Sequence, residues 1–332
     1  MDKKKKIIKA EILFSRKCNL KCSYCKMVTN VKNTLSIEDW KNGLINLKEL
    51  GCELVVFYGA EPLLEFDKLK HVIKIAANLS IDTTVITNGT VKNTKEKLCE
   101  LYNNGLRSLS MSYDPLPLDR SSALKSEQAL EILLWFKKFK DIRDVAAIAT
   151  ITAGNYSYLP DMVKRMSAHG IWTFYDLYHF DRKQIGSKVA PLDDYYAFDV
   201  INAEGTRKIL NQVNDMKKDG YLVHTNQHYI DILNKNSRIL LDYNWNCADY
   251  DQFPSWVTID CDGTVYPCDD FQPKLVEPFK VTKLSTHWEE FSTKMKLMCK
   301  AICPGCFWNT HVGAHAIKAG IENIDDYVHG RK

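Results

Sequence analysis

The chain has 332 residues, enough for one large domain or two modest ones, and 45% of them are hydrophobic, as in globular proteins. Its 45 Lys and Arg residues nearly balance 41 Asp and Glu residues, so the net charge of +4 is too small to indicate nucleic acid or an anionic membrane as a partner. No stretch approaches the roughly 20 apolar residues that span a bilayer, and no signal-type apolar segment follows the basic start. We therefore expect a cytoplasmic protein.

Hydrophobic patterning predicts strands that alternate with helices over the first 180 residues. Ser36 and Asp39 resemble a capping box that opens the first helix, and Gly51 is a natural end for it. The predicted strands are 7–14, 53–58, 82–87, 107–112, 145–152 and 171–177, and the predicted helices are 36–50, 66–79, 95–104, 126–140 and 159–169. Helical patterns follow at about 192–218 and 227–234, and a hairpin with its turn at Asp262 and Gly263 follows at 257–266.

Strands and helices in alternation specify parallel strands with helical crossovers, hence an α/β fold. The pattern alone allows either a doubly wound sheet or part of a barrel. No G-x-G-x-x-G sequence follows the first strand, which argues against a dinucleotide-binding domain. Cysteines stand there instead, at the carboxyl end of the strand, where sites of α/β proteins lie.

The 11 cysteines are the unusual part of the composition. An odd number excludes complete internal pairing, and in a reducing compartment clustered thiols usually serve metals or catalysis. Three stand within eight residues, as Cys18-x3-Cys22-x2-Cys25. Soft thiolates suit zinc or an iron–sulfur cluster, but zinc normally takes four ligands in a closed structural site and no fourth ligand is near. Three buried packing cysteines at this spacing are improbable, so the residues predict a metal site.

This motif resembles that of the radical S-adenosylmethionine (radical SAM) superfamily, which has an aromatic residue before the last cysteine, here Tyr24. The resemblance implies a 4Fe–4S cluster on Cys18, Cys22 and Cys25, whose remaining iron binds the amino and carboxylate groups of S-adenosylmethionine. One-electron reduction would cleave the sulfonium and yield a 5′-deoxyadenosyl radical that abstracts hydrogen from a substrate. It also implies an incomplete (β/α)6 TIM-like barrel over about residues 7–180.

A second motif, Gly59-Ala60-Glu61-Pro62, follows the second predicted strand and resembles the Gly-Gly-Glu-Pro sequence of this family. Ala60 departs from the second glycine, an exchange that is conservative where φ is negative and strained where it is positive. The resemblance implies that Glu61 contacts the methionine amino group, whereas the residues alone also allow an acid at a helix N-terminus. Further contacts are expected at later strand ends, where the same residues also suit turns. The expected cofactor-binding set is Tyr24, Gly59, Ala60, Glu61, Pro62, Thr87, Asn88, Ser110, Ser112 and Thr152.

Six more cysteines lie near the C-terminus. Cys303 and Cys306 form a two-residue-gap pair, and the hairpin delivers Cys268 at its end. From the residues alone, a zinc ribbon is an alternative to an iron–sulfur site. The spacing Cys247-x15-Gly263-x4-Cys268 resembles the SPASM domain and its shorter relative, the twitch domain, which hold auxiliary 4Fe–4S clusters. The resemblance implies one auxiliary cluster on Cys247, Cys268, Cys303 and Cys306, with Cys299 as a substitute ligand.

The other candidate residues concern the substrate. Cys261, beside the hairpin turn, is either a spare thiol or a hydrogen-atom donor of the kind that radical epimerases need. His179 and Asp181 follow the sixth strand and could move a proton, although an ordinary polar loop is the simpler interpretation. Cys52 and Cys99 are expected to be packing residues.

These observations predict three regions: a radical SAM core at 1–180, a helical connection at 181–240 and a small cysteine-rich auxiliary domain at 241–332. The expected function is radical modification of a peptide by oxidation, crosslinking or epimerisation. Oxidation or epimerisation of a sugar or alcohol is the alternative, and a non-catalytic zinc protein is the alternative from another class. A reducing protein such as flavodoxin or ferredoxin is the expected partner.

Overall fold

The computed structural model describes residues 6–25, 27–29, 34–116, 119–178, 200–235, 245–250, 253–269, 271–273, 275–303, 305, 309–318 and 320. Within these ranges the strands are β1 Lys9–Ser15, β2 Leu54–Gly59, β3 Asp82–Thr87, β4 Ser108–Ser112, β5 Asp144–Ile151, β6 Trp172–Leu177, β7 Trp256–Asp260 and β8 Val265–Tyr266. The helices are α1 Ile37–Glu49, α2 Phe66–Asn78, α3 Thr94–Asn103, α4 Arg120–Phe136, α5 Leu159–Ala168, α6 Val200–Lys218, α7 Gln227–Lys235, α8 Trp288–Ile302 and α9 Asn309–Lys318.

All eight strands form one sheet in the order β6-β5-β4-β3-β2-β1-β7-β8. The first six are parallel and stand in chain order, so the crossovers never reverse direction as they do in a doubly wound sheet. This settles the choice that the sequence left open in favour of the partial (β/α)6 barrel, and the predicted fold class is confirmed. β7 pairs in parallel with β1. β8 pairs antiparallel with β7, so the predicted hairpin extends the same sheet.

One face of the sheet packs on the helices through alternate strand residues. Phe14 of β1 contacts Trp40 of α1 and Phe57 of β2, with ring centroids 5.7 and 5.5 Å apart. The capping box at the start of α1 is formed: Asp39 N donates to Ser36 Oγ at 3.1 Å, and Ser36 N donates to the Asp39 carboxylate at 3.2 Å. The start of helix α1 is thereby fixed at Ser36.

The opposite face of β1 is polar. Lys9 pairs with Glu11 at 2.9 Å, and its ammonium lies 3.6 Å from the centre of the Trp256 ring. Both charged side chains are largely buried, which is stable because the two charges compensate each other and the ring faces the cation. The inner face of the sheet is therefore suited to polar contents.

The last described helix packs near both ends of the sheet. Ile317 of α9 packs with Trp256 of β7, and the Asn309 side chain donates to the His224 carbonyl at 3.0 Å. The His224 ring stacks on Phe174 of β6 with centroids 4.2 Å apart. Helix α9 thus contacts β7 near one end of the sheet and the His224 segment beside β6 at the other.

Predicted and observed boundaries agree within two residues for the six strands of the barrel. Helix α4 differs most, since it begins at Arg120 and was predicted from 126. The candidates His179 and Asp181, and the start of the predicted helix 192–218, lie outside the described residues. The division into three domains stays a prediction. Among the described residues, no helix has the length and apolar character needed to cross a membrane.

Candidate active site at the carboxyl ends of the strands

The first three cysteines lie in the segment that leaves the carboxyl end of β1. Cys18, Cys22 and Cys25 are free thiols; Cys18 and Cys22 are partly buried and Cys25 is exposed. A turn in which Cys25 N donates to Cys22 O at 3.0 Å sets the second and third cysteines. One short segment therefore presents three thiols at the edge of the sheet where barrel active sites are built.

The sulfur of Cys18 accepts two N–H groups. Leu20 N lies 3.3 Å from Cys18 Sγ, and Asn88 Nδ2, from the loop after β3, lies 3.5 Å from it. Burial raises the pKa of the Cys18 thiol, and both donors act against that shift because they stabilise the thiolate. These contacts prepare the sulfur to carry negative charge.

Tyr24 attaches the second half of the segment to β4 and α4. Its hydroxyl contacts Asp114 Oδ1 and Oδ2 at 3.0 and 2.9 Å, and it also contacts the ammonium of Lys125. Lys125 and Asp114 form an ion pair of 2.9 Å whose side chains are 6% and 1% exposed. Burial raises the pKa of the Cys22 thiol to about 11, and the positive charge of Lys125 opposes this effect. A buried cation thus stands close to the thiols.

Gly59, the first residue of the second motif, has a conformation that requires glycine. Its φ is +126°, and a Cβ there would lie 2.5 Å from the Ser15 carbonyl oxygen. Ala60 does not have a positive φ, and its backbone N–H donates to the Ser15 carbonyl at 2.9 Å. The departure from Gly-Gly-Glu-Pro is therefore unstrained, and the motif is clamped against the end of β1.

Glu61 is completely buried and satisfies several donors. Oε1 accepts Leu63 N at 2.9 Å and the Thr87 hydroxyl at 2.7 Å, while Oε2 accepts Asn88 N at 2.8 Å. Burial raises the pKa of the Glu61 carboxyl, and these hydrogen bonds oppose the shift. Since a carboxylate has about four acceptor positions, one remains for an ammonium or amide donor. Glu61 also caps the short 3-10 turn Pro62–Glu65, in agreement with the interpretation as an acid at a helix N-terminus.

The other expected cofactor contacts lie on later strands of the same sheet. Ser110 and Ser112 lie on the face of β4 opposite the buried Leu109 and Met111. Thr152 follows β5, where its N–H donates to Asn155 Oδ1 at 2.7 Å and its hydroxyl accepts Gly154 N at 3.2 Å. Thr152 therefore has a clear turn-forming role.

The second cysteine group comes from separate elements. Cys247, Cys268 and Cys299 are buried, Cys303 is partly buried, and Cys306 lies outside the described residues. Asn246 ties Cys247 to the end of α8, because its side chain accepts Ala248 N at 3.0 Å and donates to the Cys299 carbonyl at 3.2 Å. Cys303 N donates to the same carbonyl at 3.0 Å. The turn at Cys247 and the last turn of α8 are thus held together.

Cys261 is buried at the turn that follows β7. Its N–H donates to Asp260 Oδ1 at 2.7 Å, and burial together with the Asp260 charge raises the pKa of its thiol to about 12. The thiol therefore stays protonated at neutral pH.

An ion pair joins the two cysteine-bearing regions. Arg16, two residues before Cys18, donates to both carboxylate oxygens of Asp260, at 3.0 and 2.6 Å. The side chains are 12% and 16% exposed, so water weakens the pair little. A second link runs from Tyr58 to Asp269, the residue after Cys268. The first cysteine segment and the hairpin are therefore parts of one packed unit.

The donor chemistry of the first segment fits an iron–sulfur cluster. Its three sulfurs are soft, two N–H groups face one of them, and a buried ammonium lies near another. Across the described ranges, no three His, Cys, Asp or Glu side chains converge on a point that one metal ion would occupy.

Sequence reasoning missed the residues that hold this segment. Asp114 lies two residues after β4, and an acid close to a strand end was an available signal. Lys125 gave no such signal, because helix α4 was predicted to begin at residue 126, one residue after it. Arg16 and Asp260 are 244 residues apart, and their contact depends on β7 joining the sheet beside β1.

With this geometry in place, comparison with known proteins identifies the first part of the barrel. Residues 12–139, from β1 to beyond α4, match the family model of the Radical SAM superfamily. The first part of the chain is therefore similar to the radical SAM superfamily.

Curated relatives match over short stretches. A nucleotide dehydratase dependent on S-adenosylmethionine, RSAD2 of Siniperca chuatsi, is 37% identical over 106 residues, which are 30% of this chain and 29% of that protein. PqqA peptide cyclase of Bradyrhizobium diazoefficiens is 27% identical over 158 residues, which are 45% of this chain and 40% of that protein. The chain thus matches well under half the length of these relatives.

Solved structures match over most of the chain. SuiB of Streptococcus suis, solved with S-adenosylmethionine and also with its precursor peptide SuiA, superposes with a TM-score of 0.61 at 17% identity, over 85% of this chain and 65% of SuiB in the former complex. The protein anSMEcpe, solved with S-adenosylmethionine and a peptide, superposes with a TM-score of 0.62 at 18% identity, over 88% of this chain and 82% of that one. At these identities the likeness shows a shared fold.

Proposed function

We propose that this protein is a radical SAM enzyme that modifies a peptide. The observation that carries the proposal is the meeting of two motifs at adjacent strand ends. Three free thiols follow β1, and the buried carboxylate of Glu61 follows β2. The match of residues 12–139 to the superfamily supports it.

Bound to this site, a 4Fe–4S cluster with S-adenosylmethionine would supply one-electron cleavage of the sulfonium and a 5′-deoxyadenosyl radical for hydrogen abstraction. Cys18, Cys22 and Cys25 would hold the cluster. Glu61 would accept a hydrogen bond from the methionine ammonium through its remaining acceptor position. Tyr24, with Asp114 and Lys125, would keep the cysteine segment in place.

One auxiliary 4Fe–4S cluster completes the proposal, with Cys247, Cys268, Cys303 and Cys306 as ligands. Cys299 is the alternative to Cys303, since the two lie one helical turn apart at the end of α8. Burial of the contributing elements suits a closed site. Such a cluster would accept an electron from a substrate radical or hold the substrate.

A peptide substrate is supported by the relatives. PqqA peptide cyclase matches in sequence, and the superposing structures of SuiB and anSMEcpe contain peptides. We also propose a reducing protein such as flavodoxin or ferredoxin as a partner and the cytoplasm as the location.

Cys261 is proposed as a hydrogen-atom donor for the product radical. Its high pKa supports this role, because a protonated thiol has the S–H bond that a donor needs. His179 and Asp181 are proposed to move the substrate proton. Unchanged turnover and unchanged product in Cys261→Ala would remove Cys261 from the mechanism.

The test is formation of 5′-deoxyadenosine. Anaerobically reconstituted protein is mixed with dithionite and S-adenosylmethionine, and the nucleoside is quantified by chromatography. We expect formation by the wild type, loss in Cys22→Ala, and retention in Cys99→Ala, a matched cysteine change on α3. Cys303→Ala should still form 5′-deoxyadenosine but no modified product.

The substrate class is tested by a mass search of wild-type reactions with candidate peptides and, separately, with pooled metabolites. A mass change in a peptide supports the proposal. A change confined to a small metabolite would assign the small-molecule alternative. Colourless protein that binds zinc and forms no 5′-deoxyadenosine would overturn the enzyme assignment.

A further inference from the structure

We propose that Asn88 sets the reduction potential of the cluster on the first cysteine segment, by donating an N–H···S hydrogen bond to Cys18. The inference rests on the proposed function, since it needs a cluster at that site. It assigns a tuning role to a residue that the sequence analysis predicted only as a member of the cofactor-binding set.

The orientation of the Asn88 amide is fixed by its neighbours. Oδ1 accepts both Thr90 N and the Thr90 hydroxyl at 2.8 Å. A backbone N–H can only donate, so the atom that faces it is the oxygen, and the amide nitrogen must point the other way. That nitrogen lies 3.5 Å from Cys18 Sγ and 3.1 Å from Asn19 Oδ1.

The rest of Asn88 is held equally firmly. Its backbone N–H donates to Glu61 Oε2 at 2.8 Å. The side-chain amide of Asn19 donates to the Thr90 hydroxyl at 2.8 Å. Asn88 is only 7% exposed. The donor to the sulfur is therefore preorganised by three residues around it, Glu61, Thr90 and Asn19.

The electrostatic consequence has a definite sign. Reduction adds an electron, part of whose density reaches the cysteine sulfurs, and an N–H donor stabilises that added negative charge. Hydrogen bonds to the sulfurs and nearby charge are among the main determinants of cluster potential. The Asn88 amide therefore makes the cluster easier to reduce, together with Leu20 N, which no side-chain substitution removes.

The variant Asn88→Asp tests the effect on the reduction potential separately from the effect on the local structure. The variant is nearly isosteric, and one carboxylate oxygen still accepts the two Thr90 donors, but the N–H to the sulfur is replaced by an acceptor with negative charge. Asn88→Ala removes the donor without adding charge. Asn46→Ala is the matched control, since Asn46 joins α1 to the 282–285 segment through its amide and lies away from the cysteines.

Iron and sulfide content is measured first, and the midpoint potential is then obtained by an EPR-monitored redox titration without S-adenosylmethionine. The auxiliary site is removed from every protein by Cys268→Ala, so that one signal is followed. We expect potentials in the order parent, Asn88→Ala, Asn88→Asp, from least to most negative, and an unchanged value for Asn46→Ala.

Equal potentials in the parent and both Asn88 variants would overturn the inference while leaving the proposed function intact. Loss of the cluster from Asn88→Asp at unchanged protein stability would also overturn it, since Asn88 would then be needed for assembly instead. A parent protein that assembles no cluster at all would instead refute the proposed function.

Discussion

The two cysteine groups of this protein are built in opposite ways. The first is one short segment whose thiols are partly or fully accessible and whose position is fixed by polar side chains from β3, β4 and α4. The second collects cysteines from three separated places in the chain, and most of those described are buried. A site that must admit a cofactor and a substrate needs an open side, whereas a site that stays coordinated is more stable when closed. The contrast supports one reactive and one auxiliary cluster.

The largest expected effect concerns the buried ion pair behind the first group. Lys125→Met leaves Asp114 in the interior without its cation, and we expect a loss of about 3–5 kcal/mol in the free energy of unfolding, measured with urea. Lys41→Met is the matched control, because the pair of Lys41 with Glu38 is exposed, and a loss below about 0.5 kcal/mol is expected there. Similar losses in both variants would show that the first group does not depend on the buried pair.

The ion pair between the first cysteine segment and the hairpin is tested by a double-mutant cycle of Arg16→Met and Asp260→Asn. The bidentate contact is largely shielded from water, so a coupling energy of about 1.5–3 kcal/mol is expected. The neighbouring pair Lys17–Glu65, in which Lys17 is 75% exposed, should give about 0.2–1 kcal/mol. Equal coupling in the two cycles would mean that the regions are not held together through Arg16.

A smaller effect is expected in the second group. Asn246→Ala removes the cap of the turn at Cys247 and the hydrogen bond to the Cys299 carbonyl, with a loss of about 1–2 kcal/mol. Asn234→Ala, which breaks an exposed side-chain pair on α7, should cost no more than about 0.5 kcal/mol. If both changes are equally mild, Asn246 does not organise the second group.

The smallest and most local difference is thiol reactivity in the iron-free protein. Cys25 is exposed, so iodoacetamide should alkylate it before the buried Cys261, as followed by peptide mass spectrometry. Since the Cys261 pKa lies at about 12, its rate should rise roughly tenfold for each pH unit from 7 to 10, without a plateau. A plateau near neutral pH would show that Cys261 is ionised and would remove the support for a hydrogen-donor role.

The fold was largely predictable because strand and helix periods are local properties of the sequence. The six barrel strands and the capping box at Ser36 follow from residues close together in the chain. The strand pattern alone did not decide between a barrel and a doubly wound sheet, since strand order depends on packing between distant segments. The family resemblance of the cysteine motif predicted the barrel. The pairing of β7 with β1 was likewise not predictable, because these two strands are far apart in the chain.

The sequence predicts candidate ligands for the site but only some of the residues that support them. The cysteines and Glu61 can be selected as candidates from the sequence because they belong to short motifs. Lys125 and Asp260 do not, because each acts through a partner that only the folded chain brings near. Asn88 was found as a candidate, but the direction of its amide, toward the sulfur of Cys18, follows only from its contact with Thr90.

The most direct test of the central claim uses the variant Cys247→Ala with Cys268→Ala, which keeps only the first cysteine group intact. Anaerobically reconstituted and reduced, it should hold about four iron atoms per chain and show an EPR signal that changes shape when S-adenosylmethionine is added. A cluster whose spectrum is unaffected by S-adenosylmethionine, or a protein without iron, would contradict the assignment of this segment as the open, reactive site.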